Sequence, residues 1–120
     1  MIPNKILLIE DELLIRKTTA ILINNKGILT VSAETGAEGI NLAHQEKPDL
    51  VLLDMMLPDM DGWEVLRSLK SDPITQHIPI VLFTAADSEV LESTARQRGA
   101  IGILHKPFYP HQLFDIITTI

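Results

Sequence analysis

The 120-residue chain reads as an α/β fold, doubly wound: a parallel five-stranded sheet with helices on both faces. Three features point there. Short apolar runs recur along the chain, and each is continuous rather than alternating, the mark of strands covered on both sides. Segments of helical length separate the runs and carry recognisable end signals. The two kinds of segment alternate strictly, and strand–helix–strand repeats with right-handed crossovers give a parallel sheet between helical layers.

The first strand is KILLI (5–9), followed at once by Glu10, Asp11 and Glu12. In the helix after it, Ile15, Leu22 and Ile23 with Thr19 form the expected core face. Leu14 and Ile21, seven residues apart, lie beside that face as core or as a docking patch. Gly27 follows the helix end, where a left-handed residue is needed, and LTVSA (29–33) is the second strand. Thr35 and Glu38 have capping-box spacing and open the second helix. DLVLLD (49–54) is the third strand, and Asp61 with Glu64 repeats the capping device ahead of a helix in which Trp63 is expected to be partly core. IPIVLFT (78–84) is the fourth strand, Asp87 caps the fourth helix, and Gly99 follows its end. IGILH (101–105) is the fifth strand, and Pro110 stands in the first turn of the last helix. Periodicity leaves the order of the strands open. No linker, low-complexity segment or further repeat is present, so residues 1–120 are expected to be one domain.

Composition narrows the function. A chain that is 46% hydrophobic and 22% charged is an ordinary globular one. Its net charge of −6, with ten Lys and Arg scattered along it, argues against a nucleic-acid binder. The absence of Cys excludes disulfides and thiolate metal sites and fits a reducing compartment. The apolar run Ile6–Ile9 is too short for a signal peptide or a membrane span, so a cytoplasmic location is expected. His44, His77, His105 and His111 show no ligand spacing.

In sheets of this kind ligands bind at the carboxyl ends of the strands. Those ends carry Glu10-Asp11-Glu12, Asp54, Thr84 and Lys106-Pro107. Gathering Glu10, Asp11 and Asp54 is costly, since two unit charges about 4 Å apart repel by roughly 4 kcal/mol at an effective dielectric of 20. A hard divalent cation relieves that cost, and Mg²⁺ is bound through one or two carboxylates together with phosphate oxygens and water. Acids, one Lys and one Thr around a cation suit a phosphoryl group. Asp59 is explained by a Pro-Asp turn, Asp61 by the cap and Glu12 by the helix dipole, so none of the three is assigned to the metal.

IEDE, LLDMMLPDMDG, FTA and HKPF, in this order over the whole chain, resemble the receiver domain of two-component response regulators, the CheY-like domain. The resemblance implies strand order 2-1-3-4-5. It implies that Asp54 is the phosphoacceptor, that Asp11 is a direct Mg²⁺ ligand with Glu10 acting through water, and that the Met56 carbonyl is another ligand. Thr84 corresponds to the switch hydroxyl and Lys106 to the lysine that pairs with the phosphoryl group, with a cis bond before Pro107. The donor it implies is a phosphohistidine on a sensor histidine kinase or histidine phosphotransfer protein, with an unnamed downstream effector protein. No direct nucleic-acid or membrane binding is expected, and the protein is expected to be a monomer or a phosphorylation-dependent dimer. It is a switch and not an enzyme, apart from its own phosphoryl transfer and dephosphorylation. The start at Met1 a few residues before the first strand slightly favours a stand-alone receiver over a module of a larger regulator or hybrid kinase.

Two departures stand out. Ile103 replaces an aromatic the family often carries, and a β-branched chain has no ring to swing. Met56 and Ala86 flank the site and are apolar, unable to orient a water, which predicts slow self-dephosphorylation. Two rivals remain. A haloacid-dehalogenase-type phosphatase wants an acid where Met56 stands, and a flavodoxin-like cofactor binder wants a Gly- or Ser/Thr-rich loop where EDELL stands.

Overall fold

The computed structural model of the chain describes residues 2–85 and 89–119. Among the described residues five strands and five helices alternate: β1 (Lys5–Ile9), α1 (Leu13–Asn24), β2 (Leu29–Ala33), α2 (Gly36–Glu46), β3 (Leu50–Asp54), α3 (Gly62–Ser71), β4 (Ile80–Thr84), α4 (Glu89–Gln97), β5 (Gly102–His105) and α5 (Pro110–Thr118). All strand pairings are parallel, in the order β2-β1-β3-β4-β5. Ile9 stands opposite Leu53, and Thr84 opposite His105, so the carboxyl ends of the strands line up along one edge.

Side chains of successive strand residues point to opposite faces, and each face has its own core. Leu7, Ile9, Val51, Leu53 and Leu82 pack with Val65, Leu66 and Leu69 of α3. Ile6, Leu8, Leu50, Leu52 and Phe83 pack on the other side with Ile23 of α1 and Leu113 and Ile117 of α5. Burying an aliphatic side chain of this size contributes about 1.5–3 kcal/mol. The parity carries the chemistry: Glu10 continues the Ile6–Leu8 series and Asp54 the Leu50–Leu52 series, so both carboxylates fall on the α1/α5 side.

The end signals act as expected. Thr35 Oγ1 accepts the Glu38 N–H at 3.1 Å, and Asp61 Oδ1 accepts the Glu64 N–H at 2.9 Å. Gly27 (φ 78°) and Gly99 (φ 103°) occupy left-handed backbone. Thr19 and Ile23 are buried, with Ile15 and Leu22 packed beside them. Leu14 and Ile21 lie outside the core, 69% and 57% exposed. β2 departs from the expected two-sided burial, because it is an edge strand on which Leu29 faces solvent. Among the described residues no helix is long and apolar enough to cross a membrane. Ala86 and Asp87 lie outside the described residues.

Candidate functional site

β1 pairs one residue past its formal end: the Glu10 N–H donates to the Ala33 carbonyl at 3.0 Å, which fixes Glu10 at the sheet edge. Its side chain is fully buried, and Asp54, the last residue of β3, is 5% exposed. Asp11 follows on an exposed loop. One carboxylate oxygen from each of Glu10, Asp11 and Asp54 lies within 4.8 Å of the other two. Thr84 is buried at the end of β4, and the Lys106 N–H donates to its carbonyl at 2.7 Å. The bond between Lys106 and Pro107 is cis.

Lys106 enters the acid cluster. Its ammonium is 2.5 Å from Glu10 Oε1, 3.4 Å from Asp54 Oδ2 and 4.5 Å from the centre of the Phe83 ring. Asp54 Oδ1 accepts the Met56 N–H at 3.1 Å, and Glu10 Oε2 accepts the Glu12 N–H at 3.2 Å. Burial pushes the Glu10 carboxyl above the usual carboxylate range and the neighbouring Asp54 adds to this, while the Lys106 ammonium opposes both. Three carboxylates face one ammonium, so negative charge is left over. The donors are hard oxygens, partly buried and convergent, and they fit a divalent cation of the Mg²⁺ kind. The cluster opens into a cleft of about 870 Å³ that runs over Ile15, Leu22, Phe83, Pro107 and Phe108. An anion seated there would meet a cation, an ammonium and a hydroxyl at once.

The loop from β3 to α3 is held from several sides. Met56 bridges to Asp61, and the Gly62 N–H donates to the Met55 carbonyl at 2.9 Å. A Cβ on Gly62 would lie 2.7 Å from the Met55 Cα and 3.2 Å from the Asp54 carbonyl oxygen, so only glycine lets α3 begin this close to the phosphoacceptor candidate. The Met56 side chain is 81% exposed at the mouth of the site.

Not every acid of the region joins the cluster. Asp61 is occupied as the cap of α3, as expected. Asp59 turns away and accepts the N–H groups of Gly36 and Ala37, at 2.7 and 2.9 Å, which makes it a second cap for α2. Glu12 sits at the start of α1 without a side-chain cap bond. Ile103 is half-buried on the α3 side of the sheet. Trp63 is partly buried, with the Arg98 guanidinium 4.7 Å from its ring centre. His44 is engaged by Asp72. Arg16 was not singled out by spacing, yet its guanidinium binds the carbonyls of both Glu10 and Asp11. A cation one turn into the helix that follows three acids was the only signal for it.

Residues 6–118 match the family of response regulator receiver domains. The chain is 37% identical over 109 residues to the probable transcriptional regulator ycf27 of Guillardia theta, covering 91% of this chain and 42% of that protein. It is 35% identical over 115 residues to the polar-differentiation response regulator DivK of Brucella anthropi, covering 96% and 94%. It thus spans less than half of one relative and nearly all of the other. Chemotaxis protein CheY4 of Vibrio cholerae has the same fold, with a TM-score of 0.91 at 25% identity over 97% of each chain.

Proposed function

The chain belongs to the family of response regulator receiver domains, and on that premise we propose that it is a phosphorylation switch whose phosphoacceptor is Asp54. Receivers of this family serve phosphorylation-dependent two-component signalling and bind Mg²⁺ in their acidic cleft. The observation that carries the residue assignment is the convergence of Glu10, Asp11 and Asp54 with Lys106 at one sheet edge.

In this reading the donor is a phosphohistidine on a sensor kinase or phosphotransfer protein. An Asp54 carboxylate oxygen forms the new P–O bond as the P–N bond breaks, and the bonding pair leaves with the imidazole. Mg²⁺, held by Asp11, Asp54, the Met56 carbonyl and Glu10 through water, would offset charge on the phosphoryl oxygens. The N–H of Met56 holds one Asp54 oxygen in place, and Lys106 shifts its ammonium from the carboxylates toward the phosphoryl group. Thr84 supplies the hydroxyl. The acyl phosphate carries about −2 charge and three acceptor oxygens. Its contacts favour one of two conformations, and driving that equilibrium from 1:99 to 99:1 takes about 5.5 kcal/mol of differential binding. A few charge-assisted hydrogen bonds are of that size.

The protein turns over no substrate beyond its own phosphoryl group, acts in the cytoplasm, and signals by protein contact as a monomer or phosphorylation-dependent dimer. The test is incubation with acetyl phosphate and Mg²⁺, read by intact mass, with Asp54→Ala as control. Wild type gains one phosphoryl group and the variant none. Rapid turnover of the reagent with no phosphoryl group retained on the protein would favour a phosphatase instead, and the absence of both mass change and turnover would remove the switch reading.

A further inference from the structure

Arg16 lies one turn into α1, and its side chain is only 11% exposed although it is charged. Nη1 donates to the Glu10 carbonyl at 3.0 Å and to the Asp11 carbonyl at 3.2 Å. Nη2 donates to Glu34 Oε1 at 3.0 Å, and Glu34 sits just ahead of α2. Among the described residues no backbone N–H is bonded to either of those two carbonyls. Glu10 is tied to the sheet by its own N–H and Glu12 to α1 by the Arg16 N–H, but the two carbonyls between them are held by the Arg16 side chain, with the Glu12 N–H bonded to Glu10 Oε2.

We infer that Arg16 is a positioning residue for the metal-binding acids: by gripping the Glu10 and Asp11 carbonyls and anchoring on Glu34, it holds their carboxylates in register with Asp54. The guanidinium suits the task because its rigid fork serves two carbonyls and a carboxylate together, which an ammonium on a flexible stem does not match. Side chains that orient ligands from behind change metal affinity by about 10- to 100-fold when removed. The inference rests on the receiver reading, in which Mg²⁺ sits at the three acids.

Charge and position pull in opposite directions here, which makes the test decisive. Were Arg16 merely a nearby positive charge, removing it would tighten Mg²⁺ binding. A purely structural role would lower the melting temperature and leave Mg²⁺ affinity unchanged. As a positioning residue, Arg16→Met weakens Mg²⁺ binding about tenfold, and Arg16→Lys weakens it too although the charge stays. The experiment measures the Mg²⁺ dissociation constant by calorimetry for wild type, both Arg16 variants and Glu34→Gln, with amide exchange of residues 11–13 followed in Mg²⁺-free protein. Faster exchange and weaker binding in both Arg16 variants are expected, with a smaller loss in Glu34→Gln. Equal or tighter binding by Arg16→Met overturns the inference alone. A wild type that takes up no Mg²⁺ overturns the functional reading and this inference with it.

Discussion

The Lys106 ammonium reaches Glu10 across 96 residues of sequence and closes to 2.5 Å on a carboxylate without accessible surface. This pair partly neutralises the acid cluster in the metal-free protein, and in the proposed mechanism Lys106 loosens from it to meet the phosphoryl group. Removing one partner of a buried pair leaves the other charge uncompensated, at a cost of about 3–5 kcal/mol in full burial. With Lys106 15% exposed, Lys106→Met is expected to cost roughly 2–3 kcal/mol in urea unfolding without Mg²⁺. Saturating Mg²⁺ should recover part of the loss. An unfolding midpoint unmoved by the substitution would show that the contact carries no stability.

Mutual repulsion of Glu10, Asp11 and Asp54 sets a second expectation. Asp54→Asn removes one charge and keeps the shape, so its melting temperature without Mg²⁺ should rise by about 4 °C, equivalent to roughly 1 kcal/mol. Wild type should gain about 2.7 kcal/mol at a Mg²⁺ concentration 100 times the dissociation constant, and the variant far less. Calorimetric scans with and without Mg²⁺ check both. Identical melting temperatures throughout would mean that the acids do not repel.

The acids of the site could be read in sequence because each stands at or just past the end of an apolar run, where neighbouring strand ends must meet. Arg16 and Asp59 could not. Apart from the Glu34 carboxylate beside Arg16, their partners are main-chain carbonyls and N–H groups, which every residue carries and no spacing marks. Leu14 and Ile21 show the other limit: helical pitch aligns them, but whether that line is core depends on where α5 packs, and it leaves them exposed. The edge position of β2 likewise followed only from the strand order that the resemblance supplied, and the exposure of Leu29 is its consequence.

Asp59 gives a pH-dependent prediction. The N–H groups of Ala37 and Gly36 hold its carboxyl below the usual carboxylate range. A lowered folded-state value means that the stabilisation is fully present above the unfolded value of about 3.9 and is lost as the pH falls through the folded one. Asp59→Asn should therefore be less stable than wild type from pH 5 to 8, with the difference shrinking below about pH 4. Urea midpoints across that range check it. A difference that persists unchanged to pH 2 would rule out the carboxylate as its source.

Met56 carries the last prediction. Its side chain is 81% exposed at the mouth of the site, two residues beyond Asp54, and a thioether cannot orient a water for attack on an acyl phosphate. An amide there has both a donor and acceptors within reach of that water. Because the side chain packs against little, Met56→Asn should change stability by less than about 0.5 kcal/mol, so any kinetic change reports on the chemistry. Release of labelled phosphate from the phosphorylated protein should be several-fold faster in Met56→Asn than in wild type. If wild type releases phosphate faster than the variant, the apolar flank does not protect the acyl phosphate and the expectation of slow self-dephosphorylation fails.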